Sequence, residues 1–104
     1  MIGSVIPEKL RNRWNLILGS SNEKLQEVFN NLDDTDIFIH DSLHSYKNMI
    51  FEFECATNNI KRGMIISDDI LDNDAFYDFT SREKMKNMII KVQDDVGLGI
   101  IEKI

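Results

Sequence analysis

Asp41, His44, Asp68 and Asp69 have the types and spacing for chemistry on a hard cation. Asp41 follows the apolar run Ile37-Phe38-Ile39-His40, and Asp68-Asp69 follow Met64-Ile65-Ile66-Ser67. Carboxylates without a cysteine make an oxygen-rich set, suited to Mg2+, Mn2+ or Ca2+ more than to zinc. His44 follows Asp41 by three residues, and an imidazole with an ordinary pKa of about 6.5 suits a general base at neutral pH. A cation beside it would hold a hydroxyl group and lower its pKa. Sequential Asp68 and Asp69 would face opposite sides of a regular strand, so both reach one ion only where the strand has ended. Bland readings compete at each position. Asp41 or Ser42 could cap the following helix, Asp68 and Asp69 could solvate a loop, and His40 reads as structural inside its strand.

These residues need a scaffold that brings residues 41 and 68 together, and the pattern supplies one. Residues 14–18, Trp-Asn-Leu-Ile-Leu, read as a strand ending at Gly19. Ser20 and Glu23 stand at capping-box spacing before Leu25, Val28, Phe29 and Leu32, which share one helical face. Residues 37–40 are apolar without alternation, as expected of a strand covered on both faces. Tyr46, Met49, Ile50, Phe53, Thr57 and Ile60 then form one helical stripe, with Glu52, Glu54, Asn58 and Lys61 mostly off it. Residues 64–67 form a third strand. Residues 75–79 read as a short helix or lid-like loop, and Thr80 with Glu83 as a second capping box opening a turn around residues 84–86. Residues 88–92 and 98–104 make an antiparallel hairpin around Asp94-Asp95-Val96-Gly97. A short helix begins after Pro7. The order β-α-β-α-β-(α)-β-β implies one α/β domain over residues 1–104, with a mainly parallel sheet and right-handed crossovers. Ligands of such sheets bind beyond the carboxyl ends of the strands, where Gly19-Ser20-Ser21, Asp41-Ser42 and Asp68-Asp69 would lie.

Composition narrows the function. The 104 residues allow one small domain, and 42% hydrophobic residues allow a core. A net charge of −6 argues against nucleic acid as partner, because phosphate binding needs a basic face. The single cysteine, Cys55, excludes an internal disulfide and a cysteine zinc site, and reads as a small buried hydrophobe. No run approaches the roughly 18 apolar residues of a membrane helix, and the N-terminus lacks a signal-peptide pattern, so the expectation is no membrane and the cytoplasm.

Residues 37–46, Ile-Phe-Ile-His-Asp-Ser-Leu-His-Ser-Tyr, followed by residues 62–70, Arg-Gly-Met-Ile-Ile-Ser-Asp-Asp-Ile, resemble class I S-adenosylmethionine-dependent methyltransferases. The closest branch carries Asp-x-x-His-Ser-Tyr after the fourth strand and is similar to metal-dependent O-methyltransferases. Residues 14–21 resemble the third strand of that fold and its turn, and the terminal hairpin resembles its last two strands, one of them antiparallel. The resemblance implies a partial Rossmann-like methyltransferase fold, S-adenosylmethionine as cofactor, and Mg2+ or another divalent cation. It implies Asp41, Asp68 and Asp69 as metal ligands and His44 as general base. It places Gly19, Ser20, Ser21, Asn22, Asp41 and Ser42 at the cofactor, and implies a small-molecule hydroxyl acceptor. Position 69 is often Asn in the catechol branch, which carries Lys at position 44.

The resemblance covers about the second half of the family's domain. The glycine-rich turn after the first strand and the acidic residue after the second have no counterpart. The expectations are therefore a missing N-terminal half, supplied or absent, or a homo-oligomer joined through an exposed apolar edge at residues 14–18. The competing function is a non-catalytic α/β module, a relic of the fold that works by protein contact. A phospho-acceptor receiver domain shares the acidic strand ends, but needs its acidic pair after an early strand, and this order fits poorly.

Overall fold

Hydrophobic runs at residues 37–40 and 63–67 pair as β1 (Ile37–His40) and β2 (Gly63–Ser67), and the C-terminal hairpin adds β3 (Lys86–Gln93) and β4 (Val96–Lys103). The computed structural model describes residues 4–104; residues 1–3, the start of the lead-in, lie outside the described residues. The sheet order is β1-β2-β4-β3. β1 and β2 are parallel, and β4 inserts between β2 and β3, antiparallel to both. Three strands thus point one way and the last returns between them. The fold is α/β with a mixed sheet, and one of three neighbouring pairs is parallel, fewer than the expected mainly parallel sheet.

The helices are α1 (Glu8–Arg11), α2 (Ser21–Asn30), α3 (Tyr46–Asn59) and α4 (Ala75–Arg82). α3 joins β1 to β2 and α4 joins β2 to β3; the two helices touch each other, through Tyr46 with Asp78 and Arg82 with Glu54, and share one core, so they lie on the same face of the sheet. On that face Phe38, His40, Ile65, Ser67, Gly99 and Ile101 are register partners. Ile65 and Ile101 are fully buried beneath Met49, Phe53, Phe76 and Phe79, and α2 adds Phe29, whose ring lies 6.0 Å from that of Phe38. The opposite face has no helix over it among the described residues. Ile37 and Ile39 point that way and are 50% and 63% exposed. The unbroken apolar run of β1 therefore does not mean cover on both faces, contrary to the sequence expectation.

Residues 14–18 are not a strand. A strand needs a neighbour to take its amides, and this segment instead runs along α2, where Leu16 and Ile17 with Val28 and Leu32 line a cavity of about 620 Å3. The second capping box also fails. Thr80 is buried inside α4 and donates to the Phe76 carbonyl at 2.9 Å, while the chain leaves the helix at Lys84 with φ 52° and no helical turn opens. Ser20 does precede α2 as N-cap, without a side-chain cap bond. Cys55 is buried, and burial, with the nearby Glu52 charge, pushes its thiol pKa up. No helix among the described residues is long and apolar enough to cross a membrane.

Candidate functional site

The register His40↔Ser67 sets the two strand ends side by side, so Asp41 and Asp68 each follow the last residue of a neighbouring parallel strand. The ladder continues one step beyond, with the Asp68 N–H donating to the His40 carbonyl at 3.0 Å. His44 sits in the loop before α3. Ser45, rather than Asp41 or Ser42, caps that helix, accepting from the Asn48 N–H at 3.2 Å. Asn73 donates to the His44 carbonyl at 2.9 Å, which ties this loop to the segment after β2.

Ligand atoms of Asp41, His44 and Asp68 all lie within 4.8 Å of one another. His44, Asp69 and Asp72 form a second group on the same criterion. Asp69 thus does not complete the expected set of three aspartates; His44 takes that place, between two carboxylate groups. The reason is backbone geometry. Asp69 adopts the left-handed conformation, φ 49° and ψ 45°, as the chain turns from β2 into a 3-10 turn at Ile70–Asp72. Aspartate tolerates that region better than most residues, and the turn carries its carboxylate away from that of Asp41. Asp69 Oδ2 stands 3.9 Å from His44 Nε2, a nitrogen that is buried and has no hydrogen-bond partner.

Beside this rim, a cavity of about 540 Å3 opens between the start of α2 and the end of β1. Gly19, Ser20, Ser21, Asn22, Asp41 and Ser42, the six residues expected at a cofactor, all line it. Its size falls in the range of small-molecule pockets. The inner wall is a polar network that sequence reasoning missed. Glu52 is 3% exposed. Its Oε1 lies 2.9 Å from His40 Nδ1, and its Oε2 accepts from the Ser42 hydroxyl at 2.6 Å and Asn48 Nδ2 at 3.0 Å. Asn48 also donates to the Leu43 carbonyl and accepts from the Ser21 hydroxyl at 3.2 Å, so α2, β1 and α3 meet on it. Burial alone would raise the Glu52 pKa. Hydrogen bonds from His40, Ser42 and Ser21 outweigh burial and hold it down to about 2. The available signal was positional. Asn48 and Glu52 lie at i, i+4 on α3, and strand alternation turns His40 to the same side as Phe38.

No protein-family model, curated protein or solved structure matches this chain.

Proposed function

We propose that this chain is a methyl-transfer domain. It takes S-adenosylmethionine in the cavity beside Ser21 and Ser42, and a small-molecule hydroxyl acceptor at the rim of Asp41, His44 and Asp68, with Mg2+ or a similar cation. The convergence of those three side chains next to a cavity lined by all six expected cofactor residues carries the reading. The strand order supports a Rossmann-like assignment, since the terminal hairpin sends its last strand back antiparallel within the sheet, as the resembled fold does.

The donor set fits a hard cation. Two carboxylates from adjacent strand ends offer oxygen, and His44 Nε2 has no hydrogen-bond partner. When bound, the cofactor would supply the methyl group and the cation would lower the pKa of the acceptor hydroxyl. The remaining work falls to the chain. Asp41 and Asp68 would hold the cation at the sheet rim. His44 accepts the acceptor proton, and Asp69, 3.9 Å away, stabilises the imidazolium that results. The Glu52 network holds Ser42 and Asn48 in place on the cavity wall. Positioning supplies most of the rate in such a transfer. The left-handed backbone at position 69 agrees with the Asn that the catechol branch often carries there, because Asn tolerates the same conformation.

Titration calorimetry of the full chain with S-adenosylmethionine, and separately with MnCl2, tests the reading. Heat from both is expected, and Asp68→Asn weakens the cation at least about tenfold while leaving cofactor heat intact. A folded sample giving no heat with either ligand overturns it. That outcome selects the second reading, a non-catalytic module acting by protein contact, which the uncovered apolar sheet face favours.

A further inference from the structure

Residues 15–18 take part in no backbone hydrogen bond among the described residues, and Leu16, Ile17 and Leu18 are 50%, 51% and 71% exposed. β1 leaves a matching row of backbone groups open, since it pairs only with β2. The Met64 and Asp68 N–H groups donate to the carbonyls of Asp36 and His40. By alternation Phe38 also turns its backbone groups to β2, and Ile37 and Ile39 turn theirs to the free edge. An unpaired segment and an unpaired edge thus stand in one chain, joined by α2. Ile17 and Gly19 line the same cavity of about 540 Å3 as Phe38, Ile39 and Asp41, so that cavity is the gap between segment and edge.

We propose that residues 14–18 are a strap that docks on the free edge of β1 as a fifth, parallel strand, and so gates the cavity. Register supports this. With Ile17 beside Phe38, Leu16 pairs with Ile37 and Leu18 with Ile39, and Gly19 comes level with His40, where a strand must stop for the chain to enter α2. Strand alternation then turns Ile17 to the helix side, toward Leu25 and Val28 of the same cavity, while Leu18 covers Ile39, 63% exposed without it. The connection supports it too. α2 lies on the face that α3 occupies, with Phe29 against Phe38 and Ser21 bonded to Asn48. A strand added outside β1 therefore makes strand–α2–β1 a crossover of the same hand as β1–α3–β2. A hinge stands at the joint: Gly19 has φ 137°, a conformation that side chains rarely adopt, between the segment and α2. The short tether gives this segment a higher effective concentration at the edge than a strand from another chain has. Docked, Ile17 fills the apolar end of the cavity; lifted, as in this structure, it leaves the cavity open. The pairing does not rest on the methyl-transfer reading.

Amide hydrogen exchange of the full chain, read by NMR without added ligand, decides it. In the docked register the Ile17 N–H donates to the Ile37 carbonyl and the Ile39 N–H to the Ile17 carbonyl, whereas the Leu16 N–H points away from β1. Ile17→Pro removes a ladder donor, and Leu16→Pro removes one that faces solvent, where an edge strand tolerates proline. The expected result is an Ile39 amide that exchanges at least about threefold slower in the parent than in Ile17→Pro, the protection given by a docked form about twice as populated as the lifted one. Leu16→Pro keeps that slow exchange, and the buried Ile101 amide is unchanged in both variants, which shows that the core is intact. Equal Ile39 rates in the parent and Ile17→Pro overturn the proposal. So does a Leu16→Pro variant as fast at Ile39 as Ile17→Pro, because the protection would then not come from this ladder.

Discussion

Glu52 carries a charge, stands beside an apolar stripe, and is nevertheless buried. Its carboxylate accepts hydrogen bonds from β1, from the loop after it and from its own helix, so a single side chain joins the cavity wall to the core. Removing the carboxylate at the centre of a buried hydrogen-bonded network leaves its partners unsatisfied, and Glu52→Ala should lose about 3 kcal/mol in urea denaturation. The acid behaviour has a definite sign. The folded pKa, about 2, lies below the ordinary 4.5. The stability it contributes is therefore complete above pH 4.5 and disappears as pH falls toward 2. Glu52→Gln removes this titration, so its urea midpoint should fall less steeply than the parent's between those pH values. Asp68 and Asp69 separate in the same way. Asp68→Asn should abolish most Mn2+ binding, whereas Asp69→Asn, which keeps the left-handed turn, should retain it; Asp69→Ala should melt lower by about 1 kcal/mol of stability, because alanine resists φ 49°.

At the scale of the elements, close approach decides more than propensity does. A Cβ on Gly63 would run into the Asp36 carbonyl oxygen, and one on Gly99 would lie 2.5 Å from the Phe76 ring. Glycine at position 99 thus lets Phe76 of α4 pack directly onto β4. Gly99→Ala should destabilise the fold by about 1–3 kcal/mol, measured by chemical denaturation, through a forced shift of a buried ring. Elements whose pattern reports their own burial were legible in the sequence. The stripe of α3 places Met49 and Phe53 fully inside, with Ile60 just past its end, and α2 begins after Ser20 as read. Residues 14–18 misled because five residues of strand-like composition say nothing about whether a neighbouring strand exists to pair with them. Thr80 misled because a capping spacing inside an amphipathic helix is only a spacing. Of the site, Asp41 and Asp68 were readable from strand ends alone, but the left-handed turn that separates Asp69 from them is a backbone choice that its residue type merely permits.

For the molecule as a whole, the sheet is ordered by cover from its middle outward. β2 and β4 lie between other strands and carry Ile65 and Ile101 at full burial, whereas β3 pairs only with β4 and is exposed along its whole length. Amides protected by buried, doubly flanked strands open only with global unfolding, and those of an exposed edge strand open locally. Hydrogen exchange should therefore rank Ile65 and Ile101 among the slowest amides and the outward-pointing amides of β3 among the fastest. β1 tests the organisation of the site. It is a four-residue edge strand, yet it ends on His40, which is fully buried against Glu52. That contact anchors the strand end carrying Asp41, so His40 and the Asp68 amide bonded to its carbonyl should exchange more slowly than Ile37 at the open end. In Glu52→Ala the slow exchange at Asp68 should be lost while that of Ile101 is reduced only by the overall drop in stability. An Asp68 amide that stays as slow as the core in that variant would mean that the rim is held by the β1–β2 ladder alone, with the buried histidine pair contributing nothing to it.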